Sequence, residues 1–190
     1  MSDRVQASSK QFILELLKKK DLLKIIINAL SETIAGYTQT TVTHGVPFLQ
    51  EGMVQDEIAV GGLIRFEGID FNLELFLGFS KELFSFLYEN MFQMPPDEIS
   101  SENHDLAGEL LNIAFGIIDP KFRELGYRLN FSLPILFSGA ELVEVCKKID
   151  AHAIVIPYNA NDKSFVLRLY SVGSLPFQWN YPGKNSDKKN

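Results

Sequence analysis

Hydrophobic positions near the start of the chain recur at helical spacing. Phe12, Leu14, Leu16 and Leu17 begin an apolar stripe, and Leu22, Leu23, Ile26, Ile27, Leu30 and Ile34 continue it. Lys18, Lys19, Lys20 and Asp21 fall on the polar side. The pattern predicts one long helix over residues 9–36, with Gly36 as its stop. The period then changes. TTVTHGVPFLQEG reads as strand, bent at Gly45 and Pro47. Residues 58–66 and 69–79 read as the arms of a hairpin around Glu67-Gly68. In the second arm Ile69, Phe71, Leu73, Leu75 and Leu77 alternate with Asp70, Asn72 and Glu74, which predicts one buried and one wet face.

Ser80 offers an N-cap for a short helix, KELFSFLYENMFQ, closed off by Pro95-Pro96. A second long helix is expected over about residues 98–118, with a break at Asp119-Pro120. Strands follow at 128–137, 151–158 and 164–172, with a short one near Leu142 to Cys146. The order is helix, three strands, two helices, three strands. It carries an internal echo: Ile34-Ala35-Gly36 precedes Val46-Pro47 as Ile113-Ala114-Phe115-Gly116 precedes Leu133-Pro134. We therefore expect an α+β fold in which a duplicated helix-plus-three-strand unit surrounds a shared antiparallel sheet, its long helices on one face. Residues 1–175 are expected to form a single domain, with 1–10 a loose leader and the polar 176–190 a flexible tail.

Composition narrows the function by exclusion. The chain has 190 residues, 46% of them hydrophobic, enough for one domain with its own core. A net charge of -6 argues against a nucleic-acid or anionic-membrane surface. Cys146 has no second cysteine to pair with. The start, MSDRVQASSKQ, lacks the apolar core of a signal peptide, and Leu22 to Leu30 is short and interrupted by Lys24. A cytoplasmic protein is expected.

Candidate chemistry concentrates in HDLAGELLNIAFGIIDP. At 100° per residue, Asp105, Glu109, Asn112 and Gly116 fall within about 60° of one another. Leu106, Leu110, Ile113, Ala114, Ile117 and Ile118 take the opposite arc. Gly108 and Gly116 would leave the helix low beside the polar groups, where another backbone can approach. On pattern alone, an ordinary solvated face with two incidental glycines accounts for the segment at least as well as a site does. His44, His104 and His152 lack metal-ligand spacing, so no metal site is expected. Cys146 has no neighbouring His or second Cys and reads as a structural thiol. Gly61-Gly62 sits in a strand, which excludes a phosphate loop. Asp105 and Glu109, on adjacent turns of one wet helix, lack the cleft that a glycosidase pair needs.

Asp105-x3-Glu109-x2-Asn112 with Pro134 downstream resembles the signature of the CheC/CheX/FliY phosphatases of bacterial chemotaxis. GLIRFEG, ELGY, SLPILFSG and AIVIPY resemble the CheX version of that fold, in order, over roughly residues 20–172. The resemblance implies a phosphatase acting on the aspartyl phosphate of a CheY-type response regulator. Asn112 would orient the attacking water, since an amide both donates and accepts but takes no proton. Glu109 would dock to a lysine of the partner. Asp105, Gly108 and Gly116 would support the interface, and Pro134 the motif. The chain needs no cofactor of its own, Mg²⁺ belonging to the response regulator, and a homodimer is expected by analogy. Registering Gly36 on Gly116 puts Ile25, Ala29 and Glu32 at the motif positions, so the first helix offers no second site. Asp119-Pro120 departs from the family pattern. It leaves an alternative, a non-catalytic adaptor that binds a receiver domain or a flagellar-switch component.

Overall fold

Eight described strands pair into one antiparallel sheet, and their order exposes two intertwined halves. The strands are β1 (Val42–His44), β2 (Phe48–Glu51), β3 (Val60–Gly68), β4 (Asn72–Phe79), β5 (Leu129–Phe131), β6 (Ile135–Ser138), β7 (His152–Ala160) and β8 (Lys163–Ser171). The structure, a computed structural model, describes residues 3–51, 58–68, 72–100, 103–148, 152–173 and 175. The sheet runs β1-β7-β8-β4-β3-β5, with β2 also on β7 and β6 also on β3. Each half thus lends a bent strand pair to the hairpin of the other.

The registers obey a pseudo-twofold. His44 lies opposite Tyr158 as Phe131 lies opposite Phe66, and Phe48 opposite Val155 as Ile135 opposite Leu63. The axis passes between the paired residues Phe76 and Arg168 at the β4–β8 seam. Pro47 and Pro134, each one residue before the second segment of its bent pair, hold equivalent places. So do Val46 and Leu133, 83% and 51% exposed. The strand half of the echo expected from the sequence, Val46-Pro47 on Leu133-Pro134, is therefore present.

Helices α1 (Asp3–Lys18), α2 (Lys20–Thr38), α3 (Lys81–Phe92) and α4 (Asp105–Glu124) cover one face of the sheet. The single helix expected over 9–36 is two, parting at Lys19, whose φ of -82° and ψ of 66° lie outside the helical basin. The reason is a change of seat: α1 lies on β7 and β8, whereas α2 packs chiefly on α4. The Lys19 ammonium sits 5.5 Å from the Tyr127 ring centre at that turn. Residues 3–10 belong to α1 where a loose leader was expected. The expected tail at 176–190, the start of the expected strand at Ala151 and the turn region around 69–71 lie outside the described residues.

Three further expectations are corrected. Residues 142–146 form part of a helix, α5 (Gly139–Lys148), and not a strand. Helix α5 lies on the opposite face, where Leu142, Val145 and Cys146 join Leu63, Phe76, Val155 and Tyr170 in a second core. Glu74, expected on a wet face, is fully buried. Its carboxylate is bound by the Arg65 guanidinium and by the backbone N–H groups of Gly173 (3.2 Å) and Leu175 (3.1 Å). Burial still pushes its pKa up, against the pull of Arg65. The Glu67-Gly68 turn is also displaced: both residues belong to β3, and Gly68 pairs with Leu129 of β5.

Helix α4 starts at Asp105, later than expected, and runs through Pro120 to Glu124. The proline removes the bond that would reach the carbonyl of Gly116, four residues back. Both residues lie on the exposed side of the helix. Ile118 and Phe122, both fully buried, hold the helix on either side of the break, and Asp119 accepts from Arg123 Nε at 2.8 Å.

The register of α2 on α4 also differs from that expected through Gly36 and Gly116. Ser31 and Tyr158 both donate to the Ile27 carbonyl, at 2.9 and 3.4 Å. Ser31 therefore neighbours Tyr158 much as Phe115 abuts the equivalent Phe66, ring centres 4.6 Å apart. With Ser31 on Phe115, the buried Leu22, Leu23, Ile26, Ile27, Leu30, Ile34 and Thr38 fall on Leu106, Ala107, Leu110, Leu111, Ala114, Ile118 and Phe122, all buried too. The expected register would instead set the fully buried Ala29 on the exposed Glu109. The helices match one turn away from it.

Candidate functional site

Helix α4 presents Asp105, Glu109, Asn112 and Gly116 to solvent along one line, as the periodicity predicts. Beneath them Leu106, Leu110, Leu111, Ala114 and Ile118 are buried, while Ile113 and Ile117 are half-buried at the flanks. Glu109 and Asn112 stand three residues apart, about 5–6 Å between β-carbons, so both can enter one small recess of a partner.

What fixes these side chains in space is the seat of the helix. A β-carbon on Gly62 of β3 would lie 2.5 Å from Leu111 Cδ1 and 3.3 Å from Leu136 Cδ2. Gly62 is therefore where α4 comes down onto the sheet, immediately below Asn112. The sequence places Gly61-Gly62 in a strand; its function as a seat only emerges once Leu111 is seen above it.

Gly108 is a correction. It was expected to lower the exposed surface for a partner, but it is buried, and a β-carbon there would meet Leu136 Cδ1 at 3.2 Å. Its smallness admits β6 and not another molecule. Gly116, by contrast, is exposed, with no atom within 4 Å of where its β-carbon would be. Pro134 lies in the bend between β5 and β6. Ser132 pins that bend to β3, its N–H donating to the Arg65 carbonyl (3.0 Å) and its hydroxyl accepting from the Arg65 N–H (2.9 Å). Two residues beyond Pro134, Leu136 reaches Gly108. The proline thus belongs to the chain path that buttresses the flank of Asn112.

Charge near the face is sparse. The His104 ring, mostly buried, has Nε2 4.0 Å from the exposed Asp105 carboxylate. Among the described residues no three His, Cys, Asp or Glu side chains come together as a metal cluster. His44 bonds the Gly45 carbonyl at 2.9 Å, and His152 lies 4.0 Å from Glu51. Cys146 is buried in the second core, and burial pushes its thiol pKa up, away from nucleophilic character.

The face is convex. One cavity, of about 660 Å³, lies elsewhere, bordered by Ser80, Lys81 and Asn161–Ser164. A convex line of one amide and two carboxylates cannot enclose a small molecule. It can enter the recess of a macromolecule, where it offers a carboxylate to a cation and an amide to a water.

Comparison with known proteins bears on the fold and the family. The family model described as chemotaxis phosphatase CheX matches residues 60–159, a span that holds α4 and Pro134. No curated protein matches the chain. Among solved structures, a CheC-like superfamily protein from Shewanella sp. PV-4 superposes with a TM-score of 0.67 at 22% identity, over 79% of this chain and 96% of that one. Chemotaxis protein CheX from Vibrio vulnificus gives 0.64 at 18% identity, over 78% and 97%. The CheX-CheY-BeF3-Mg²⁺ complex from Borrelia burgdorferi gives 0.59 at 15%, over 78% and 96%. At these identities the structural likenesses establish the fold. No described helix is long and apolar enough to cross a membrane.

Proposed function

The chain belongs to the CheX chemotaxis phosphatases, and from that we propose that it hydrolyses the aspartyl phosphate of a CheY-type response regulator through the exposed face of α4. The observation that carries the reading is the pair Glu109 and Asn112, solvent-facing on a convex helix whose underside is locked to the sheet.

The chemistry suits these residue types. An acyl phosphate is cleaved when water attacks phosphorus in line, the P–O bond to the aspartate breaking to give inorganic phosphate and a free carboxylate. Such a reaction is limited mainly by positioning and charge neutralisation. Asn112 accepts from the attacking water through its carbonyl and donates through its NH₂, which holds the water on the axis without removing its proton. Glu109 pairs with a lysine beside the phosphorylation site and brings the amide to it. Asp105, further along the same line, borders the contact. The phosphoryl acceptor and Mg²⁺ belong to the receiver domain, which supplies the recess that this chain lacks. The same reading takes the protein as a homodimer, which sedimentation equilibrium tests.

The deciding experiment follows phosphate loss from a phosphorylated CheY-type receiver with wild-type protein and with Asn112→Ala. The expected result is accelerated decay that falls by about 10²-fold or more in the variant, the scale of losing one preorganised polar group. Full activity in Asn112→Ala would refute the assignment. Binding without any acceleration by wild type would favour the adaptor.

A further inference from the structure

The bend between β5 and β6 runs beside the part of α4 that carries Glu109 and Asn112. Before the bend, the Phe131 ring centre lies 5.3 Å from that of Phe115; beyond it, Leu136 reaches Gly108. Around the helix Asn112 stands about 60° from Phe115 and about 40° from Gly108, whereas Glu109 is about 100° or more from either. The amide is thus the polar group nearest the bend. There the chain passes from Ser132, buried, to Leu133, exposed. Ser132 is fixed twice: its N–H donates to the Arg65 carbonyl at 3.0 Å, and its hydroxyl accepts from the Arg65 N–H at 2.9 Å. The fold does not demand the second bond. Strand register sets Gly45 and Pro157 in the places of Ser132 and Arg65. The Gly45 N–H donates to the Pro157 carbonyl at 2.8 Å, but the second bond cannot form, since proline has no N–H and glycine no hydroxyl.

We propose that Leu133, held beside Asn112 by the doubly bonded Ser132, is a specificity-determining residue that packs on an apolar side chain bordering the receiver's phosphorylation site. The inference rests on the function proposed for α4 and adds to it the chemistry of the partner. An ion pair on a convex, wetted surface contributes little. Hydrocarbon that closes over its edge excludes water and strengthens it. On the Asn112 side of α4 that hydrocarbon is Leu133, because Phe115 and Leu111 are buried and Leu136 is engaged at Gly108. A receiver with a charged side chain at the facing position would have it desolvated without a partner, so the residue discriminates as well as binds.

The test titrates a phosphorylated CheY-type receiver against wild type, Leu133→Ser and Leu133→Met, following phosphate loss. Leu133→Ser is expected to raise the receiver concentration for half-maximal rate about five- to tenfold, with the maximal rate changed less. Leu133→Met, of similar size and equally apolar, should restore it. Thermal melting by circular dichroism should be the same in both, because the side chain is already exposed. Ser132→Ala should raise the same concentration, yet add nothing in the Leu133→Ser background, since Ser132 acts through Leu133; a merely structural serine would add its effect in either background. An unchanged half-maximal concentration in Leu133→Ser, a lowered melting temperature there, a loss that Leu133→Met does not repair, or full additivity of Ser132→Ala overturns the inference while leaving the α4 reading intact. A wild-type protein that never accelerates decay overturns both.

Discussion

Substituting the two adjacent glycines of β3 separates the stability of the fold from the placement of Asn112. In Gly62→Ala the new β-carbon would stand 2.5 Å from Leu111 Cδ1. Carbon atoms pack at about 3.5–4.0 Å, so roughly 1 Å must open between β3 and α4. Leu111 is fully buried, and Leu136 Cδ2 at 3.3 Å closes the other side, so the leucine tip has no easy retreat. Overpacking of this kind costs about 1–3 kcal/mol. In Gly61→Ala the β-carbon would lie 2.5 Å from Phe76 Cε2 and Cζ, on the opposite face, against a ring that is itself fully buried. The cost should be similar. Their effects on turnover should differ, because only the first lifts α4. A displacement approaching 1 Å at a positioned group costs up to about 10²-fold in rate. Urea titration should therefore find comparable losses of stability, while receiver dephosphorylation, measured where both variants are folded, falls about tenfold or more in Gly62→Ala and little in Gly61→Ala. Equal activities would refute the claim that the Gly62 seat aims the amide.

Three other outcomes are expected. Glu109→Gln removes the docking charge but keeps the shape, so the receiver concentration for half-maximal rate should rise about 10- to 100-fold with the maximal rate changed less; steady-state titration distinguishes this from a loss of maximal rate alone. Pro120→Ala restores a backbone bond in the exposed part of α4 and should raise stability in urea by up to about 3 kcal/mol, with dephosphorylation unchanged; lower stability would mean that the helix depends on the proline. Glu74→Ala leaves the Arg65 guanidinium without its buried carboxylate and should cost about 3–5 kcal/mol, read from the same titration; a loss below about 1 kcal/mol would contradict a buried pair.

The face of α4 was legible in the sequence because it needs only local information. A period near 3.6 sorts Asp105, Glu109 and Asn112 from Leu106, Leu110 and Ala114 whatever the helix rests on. Errors fell where the answer depends on distant chain. Glu74 alternates with Leu73 and Leu75 in the manner of a wet face, and nothing within β4 signals that Gly173 and Leu175 will close over it. The Leu142–Cys146 run, rich in apolar and β-branched residues, resembles a strand until Phe137 and Phe76 give a helix something to pack on. Pro120 was taken as a break because the rule for proline is local, whereas Ile118 and Phe122 hold the helix from the core. Gly108 is the subtlest case. Its place near the polar line suggested access for a partner, but the approach that it permits is that of β6.

These cases bear on what a convex face needs if it is to act. In a cleft, an amide is held from several sides by the walls that surround it. On an exposed helix face Asn112 has only its own backbone to fix it, so its aim is the aim of α4. The fold meets this requirement from below, where Leu111 and Leu136 lie 2.5 and 3.2 Å from where β-carbons on Gly62 and Gly108 would stand. The break at Pro120 lies two turns beyond, on the far side of the Ile118 anchor, where it can loosen the end of the helix without tilting the amide. The pseudo-twofold gives α2 the same kind of support, with Ile26, Ile27 and Leu30 buried beneath Asn28. Rigidity is therefore present twice in the molecule. What differs between the two helices is what they present: Glu109 beside Asn112 on α4, but Lys24 and the half-buried Ile25 in the turn before Asn28 on α2.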